Sequence, residues 1–298
     1  MKPDDLSRWL AEQPRLLDGA TGSELIRRGV ESARDLWGGG AMLEAPDAVR
    51  ALHRNYAAAG AQALTAATFR VAPYSLRRHG LANRAAELGR LAVALAREGA
   101  TEAERDVLVL ASMTTLEDCY RPDLVPDDAT LRLEHGETTT TLAVSGADAL
   151  LLETFNTARE ATIATSAATA SGLAVIVCFT CCRGRVLGGD DPRAAAAAVS
   201  LPGVVAVGVN CTAVNEVSGV LARMREGTAL PLVAYANNAW FAEDSLWLTA
   251  ATLSPQAYAD AAETWLALGV RLVGGCCGTA PKHIAALAAR LAAHECLR

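Results

Sequence analysis

No run of about 18 apolar residues occurs anywhere in the chain, so no membrane-crossing helix is expected. The first stretch, MKPDDLSRWLAEQPRLLDG, lacks the apolar segment of a secretory signal. The Ala-rich runs at 161–175 and 194–199 are too short, or too often interrupted by Thr and Ser, to take that role. Basic charge is also scarce: 27 Lys and Arg stand against 33 Asp and Glu, a net charge of −6. That balance excludes the basic footprint of a nucleic-acid binder. Arg-rich stretches such as LRRHG (76–80) occur singly and read as solvated faces or loops. No low-complexity linker divides the 298 residues, so one domain over 1–298 is expected. These absences predict a cytoplasmic protein with small-molecule partners and with neither a nucleic-acid nor a membrane partner.

What the chain does have is apolar sequence, 51% of its residues, which is ample for a large core. Eight short apolar runs bounded by turn residues read as buried parallel strands. They fall at 15–20, 63–69, 106–113, 149–155, 174–180, 204–211, 231–238 and 270–277. Helical spacing fills the gaps, for instance at 83–99, 157–172 and 254–269, each ending on a glycine. Eight strand–helix alternations predict an α/β fold, a single (β/α)8 TIM-type barrel; a doubly wound open sheet is the alternative. Two connections are longer than a barrel needs: about 22–45 after the first strand and 239–253 after the seventh. Loops after strands lie on the face where barrel active sites are built.

Eight cysteines in a reducing compartment argue for metal or catalytic use rather than a disulfide framework. The sixth strand ends in GVNC and the eighth in GGCCG, which places Cys211, Cys276 and Cys277 at one rim. The two strand ends are expected ~10 Å apart, two strand spacings, within reach of converging side chains. Three thiolates around one point suit zinc, with the fourth position open. Gly274, Gly275 and Gly278 are expected to bend the backbone so that both adjacent cysteines face inward. Such a zinc is a weak Lewis acid for water but can hold a thiol as thiolate, so alkyl transfer to sulfur is the natural reaction. Asp18 and Gly19 in DGATG form a turn whose amides suit a carboxylate; Glu153 in LLLETF suits an ammonium group, and Asn237 in YANN faces the same crater. Alternatives remain: Asp18 can close its own turn, and Glu153 can pair with an arginine. Cys178, Cys181 and Cys182 read as core or loop thiols, Cys119 and Cys296 as idle, and His283 as a surface residue. A thiol redox or metal-handling protein using the second vicinal pair, Cys181–Cys182, is the competing function.

Together LLDGATGSEL, LLLETF, VGVNC and VGGCCGT resemble the homocysteine S-methyltransferase family over about 14–292. The resemblance implies a zinc-containing barrel. It implies Cys211, Cys276 and Cys277 as zinc ligands and catalytic residues, with Asp18, Gly19 and Glu153 holding the amino-acid part of homocysteine. Asn237 would fill the open zinc position when substrate is absent. The product would be methionine. The family's Y-P-N-S-G reads YANNA here: Ala236, Asn238 and Ala239 replace its Pro, Ser and Gly. The stretch ATFRVAPYS (67–75) matches its pattern only loosely. The chain ends soon after GGCCG, leaving no room for folate or cobalamin modules, so a freely diffusing donor is expected. A sulfonium, S-methylmethionine or S-adenosylmethionine, is the first expectation, its cation resting on the rings of Trp240, Phe241 or Trp247. Betaine as donor, or another thiol or a selenol as acceptor, is the alternative. The lack of a long C-terminal extension suggests a monomer or homodimer.

Overall fold

A computed structural model describes residues 1–30, 36, 38–238 and 253–295. Eight parallel strands form one sheet: β1 (Arg15–Leu16), β2 (Ala63–Ala66), β3 (Leu108–Met113), β4 (Ala149–Phe155), β5 (Ala174–Phe179), β6 (Val204–Ala213), β7 (Leu232–Asn237) and β8 (Val270–Gly275). Their order in space is β1-β8-β7-β6-β5-β4-β3-β2. A parallel bridge between Leu17 and Ala63 joins the two edges. The sheet is therefore a closed (β/α)8 barrel, as the strand–helix alternation predicts, and the open-sheet alternative falls.

Every residue of β4 and β6 is buried. Helices cover one face and the opposite side chains fill the barrel, so neither face needs polar residues. Leu17, Leu110, Leu151, Ile176, Val233 and Leu272 belong to the interior cluster. Cys178 lies among them as a small apolar residue, in agreement with its reading as core. Leu6 and Leu10 of the first helix (Pro3–Glu12) join the same cluster and plug the N-terminal end of the barrel. Only the opposite mouth is left open. The connection after β1 carries two short helices, Gly22–Arg27 and Gly38–Glu44. Most of the second long connection, residues 239–252, lies outside the described residues, and with it Trp240, Phe241 and Trp247. Cys296 lies outside them as well.

Two local expectations, a helix end and the place of His283, are revised, and the core-or-loop reading of Cys181 and Cys182 holds. The helix read as ending on Gly99 continues to Glu102. Gly99 sits where this helix crosses the helix Pro46–Ala58: a Cβ there would lie 2.6 Å from the Arg50 carbonyl oxygen and 2.7 Å from the Arg54 nitrogen. The glycine marks close packing, whereas Gly172 and Gly269, with φ of 77° and 91°, do stop their helices. Cys181 and Cys182 form one arm of a small antiparallel ribbon with Arg185–Val186. Successive strand residues face opposite ways, so Cys181 is buried and Cys182 exposed. The second vicinal pair does not converge on one point. Finally, His283 is buried rather than on the surface.

Two glycine substitutions are expected to act with opposite sign. Gly99→Ala gains helix propensity but must push two helices apart, so it should destabilise by about 1–3 kcal/mol. Gly136→Ala, in the helix Asp128–Ala143 with nothing within 4 Å of its Cβ, should stabilise by up to about 1 kcal/mol. Denaturant midpoints of the two variants test the pair.

Candidate metal and substrate site

A cavity opens at the C-terminal mouth of the barrel, lined among others by Asp18, Gly19, Glu153, Cys211, Cys276 and Cys277. The three sulfur atoms lie within 4.8 Å of one another. Cys211 Sγ is 4.0 Å from Cys277 Sγ, and Cys211 is joined to Cys276 as a disulfide. The Cα atoms of Cys211 and Cys276 are 5.5 Å apart, closer than two strand spacings allow. The reason is local. The β6–β7 register shifts between Asn210 and Ala213, and Cys211 takes a left-handed φ of 46°. This irregularity swings Cys211 across the mouth of β7 toward β8.

The strained backbone is held from both sides. Thr154, the residue after Glu153, is left-handed too, with φ of 61°. The buried Asn210 amide serves it: Asn210 Oδ1 accepts from Thr154 N at 2.7 Å, and Asn210 Nδ2 donates to Thr154 Oγ1 at 2.8 Å. Thr180 Oγ1 donates to the Cys211 carbonyl at 3.0 Å. The asparagine of GVNC thus ties the carboxylate strand to the thiol strand. Left-handed non-glycine residues cost of order 1–3 kcal/mol and persist where neighbours fix them.

Of the three glycines around the vicinal pair, only Gly278 needs its conformational freedom, with φ of 80°. Gly274 and Gly275 instead make room. A Cβ on Gly274 would lie 2.7 Å from the Asp18 carbonyl oxygen, and one on Gly275 would strike Thr279. Cys276 and Cys277 lie just past the end of β8, where Thr279 Oγ1 donates to the Cys276 carbonyl at 2.7 Å.

Both carboxylates are buried, and among the described residues neither has a cation beside it. Asp18 accepts from Thr65 N at 2.8 Å and from Thr65 Oγ1 at 3.0 Å, so it does not close its own turn. Glu153 accepts from Ser112 Oγ, and from Tyr235 Oη at 3.1 Å, with no arginine beside it among the described residues. Burial pushes Asp18 up to about 8, opposed by the Thr65 bonds and helped by the neighbouring charge of Glu153. Burial likewise pushes Glu153 up to about 7. The Cys277 thiol is pushed up to about 12 by burial and then by Glu153. A thiol in that state is a thiol, not a thiolate, at neutral pH. A cation between the sulfurs reverses this, because coordination favours the thiolate.

Asn237 closes β7; its side chain is hydrogen-bonded to Tyr120, and its buried Oδ1 has no partner among the described residues. An orphan acceptor of this kind costs about 1–3 kcal/mol unless something arrives to use it. Three convergent sulfurs are a donor set that fits a thiophilic divalent ion, whereas Asn237 is not among the residues lining the cavity. Sequence reading missed several neighbours. Thr65, Ser112 and Tyr235 orient the carboxylates from three other strands. Phe69, Cys119 and Tyr120 line the same cavity, so Cys119 is not remote from the site. No local signal marks these positions, because the barrel brings them together from separate turns.

The homocysteine S-methyltransferase family model matches residues 15–291. The chain belongs to the homocysteine S-methyltransferase family. It is a methyltransferase by that membership. The homocysteine S-methyltransferase of Escherichia coli is 32% identical, over 92% of this chain and 94% of its own length. A solved structure of the E. coli homocysteine methyltransferase MmuM in its metallated form superposes with a TM-score of 0.83 at 31% identity, covering 95% of this chain and 99% of that one. A selenocysteine Se-methyltransferase of Brassica oleracea is 27% identical, over 95% of this chain and 90% of its own.

The raised carboxyl values fix the sign of a pH effect. The folded protein holds protons on Asp18 and Glu153 that the unfolded chain, with carboxyl values of about 4, has already released. This stability is full below about pH 4 and is lost as pH rises through 7 to 8. The reduced, ligand-free protein should therefore show a falling urea midpoint between pH 5.5 and 8.5. Asp18→Asn should flatten that fall, and an unchanged slope would contradict the assignment.

Proposed function

We propose that this enzyme transfers a methyl group from a small sulfonium donor, S-methylmethionine or S-adenosylmethionine, to the thiol of L-homocysteine, forming methionine, with zinc as its cofactor. The convergence of three cysteine sulfurs beside two buried, cation-free carboxylates carries this reading. Cys211, Cys276 and Cys277 would hold the zinc, and Asn237 Oδ1 would take the fourth position until substrate comes. Zinc bound there supplies one thing: it keeps the homocysteine sulfur deprotonated at neutral pH.

The remaining work belongs to the chain. Asp18 and Glu153 ionise when the substrate ammonium enters, exchanging their protons for a paired cation. Gly19 leaves space beside Tyr56 and Thr279 that a side chain would fill, so the amino-acid end reaches the Asp18 turn. The reaction forms a carbon–sulfur bond to homocysteine and breaks one in the sulfonium. The donor departs as a neutral thioether, and no general acid is required. Positioning and nucleophile activation are then the catalytic devices. All the proposed ligands come from one chain, so a monomer or homodimer suffices. Thiol ligands suit a reducing, cytoplasmic setting. A selenol acceptor is a second reading, favoured by the likeness to the Brassica enzyme.

The joined Cys211 and Cys276 make reduction a condition. Anaerobic, reduced protein should bind about one zinc per chain and form methionine from homocysteine with a sulfonium, and poorly or not at all with betaine. Cys276→Ala should lose both the zinc and the methyl transfer. Protein that takes up no zinc after reduction and reconstitution would refute the proposal, as would a zinc-free variant with full activity.

A further inference from the structure

Two backbone rungs flank Asn237 at the end of β7. Cys276 N donates to the Ala236 carbonyl at 2.9 Å, and Asn238 N donates to the Cys277 carbonyl at 2.8 Å. Asn237 is thereby stitched on both sides to the adjacent cysteines. The second rung lies beyond the end of both strands, where no further ladder supports it.

The side chain of Asn238 supplies the support. Its Oδ1 accepts from Leu253 N at 2.8 Å, and its Nδ2 donates to the Leu253 carbonyl at 3.1 Å. One side-chain amide thus copies both bonds of a β pairing with a single residue. His283 stands behind it. Ala280 N donates to His283 Nδ1 at 3.0 Å, which leaves the ring proton on Nε2. That nitrogen donates to the Leu253 carbonyl oxygen at 3.4 Å, while its 3.0 Å approach to Asn238 Nδ2 sets two donors side by side, so the ring supports Asn238 through Leu253 and by packing. The Tyr258 ring packs edge-on against the imidazole at 5.9 Å. Asn238 is 5% exposed and His283 3% exposed.

We propose that Asn238, braced by His283, is a positioning residue for the metal end of the site. It is not among the residues lining the cavity. It fixes the backbone that carries Asn237 and Cys277, two of the four groups assigned to the zinc, and so rests on the zinc reading above. The serine of the resembled motif has one hydroxyl on a shorter stem and cannot span both Leu253 groups. Partners that orient metal ligands in this way typically contribute ~10- to 100-fold in metal affinity.

The test uses the full-length reduced protein. Wild type, Asn238→Ala and Asn238→Asp are loaded with zinc and titrated with a competing chelator. Asn238→Ala should release zinc at least about tenfold more readily. Asn238→Asp keeps the acceptor for Leu253 N and should fall between the two. A second readout needs no metal: amide hydrogen exchange at Asn238 and Leu253 in the zinc-free protein, expected to quicken about tenfold or more in Asn238→Ala, as a lost protecting bond requires. If Asn238→Ala does not fold, His283→Ala removes only the outer brace and carries both measurements. A lower melting temperature with unchanged chelator competition and unchanged exchange would show a merely structural residue and overturn the proposal. If the wild type takes up no zinc, the proposed function fails, and the exchange result alone decides the clasp.

Discussion

Acidic groups buried without a basic neighbour are the constraint on which this site depends. Two carboxylates and four cysteines line one cavity, and among the described residues no lysine, arginine or histidine lines it. Burial keeps Asp18, Glu153 and Cys277 protonated beyond their ordinary ranges. The cavity is neutral only while those protons stay. Cations are what it lacks, and its two classes of donor call for two different ones. Sulfur prefers a soft divalent ion; the carboxylates, ringed by hydroxyl donors, prefer an ammonium group. A substrate carrying both a thiol and an ammonium spans the two halves.

The scaffold supports this arrangement with backbone rather than charge. Cys211 reaches the vicinal pair because the β6–β7 register slips, and Asn210 stabilises the slip by bonding to Thr154. Gly274 and Gly275 let β8 approach the Asp18 turn without a side chain between them. The cysteine half and the carboxylate half are thus joined through contacts across β4, β6 and β8. A neutral scaffold of this type leaves the charge of the site to be set by its ligands.

Much of this was legible in the sequence. Parallel strands buried on both faces produce apolar runs punctuated by turn residues, and β4 has the bounds read for it, 149–155. The vicinal cysteines between glycines at a strand end mark the mouth without any structure. Other features were hidden by physical degeneracy. Gly99 is written like a helix stop but serves a helix crossing. His283 sits in a helix start that looks solvent-facing, and only the fold brings Asn238 and Leu253 to it. Cys181 and Cys182 repeat the vicinal pattern of Cys276 and Cys277, yet strand alternation separates them. Thr65, Ser112 and Tyr235 are ordinary strand residues until the barrel closes around two carboxylates.

The plug made by Leu6 and Leu10 has a consequence for access. With the floor of the barrel filled by these side chains, the cavity lined by Asp18, Glu153, Cys211, Cys276 and Cys277 is approached from the C-terminal mouth. A leading helix of ten residues thus decides from which end of the barrel the site is reached.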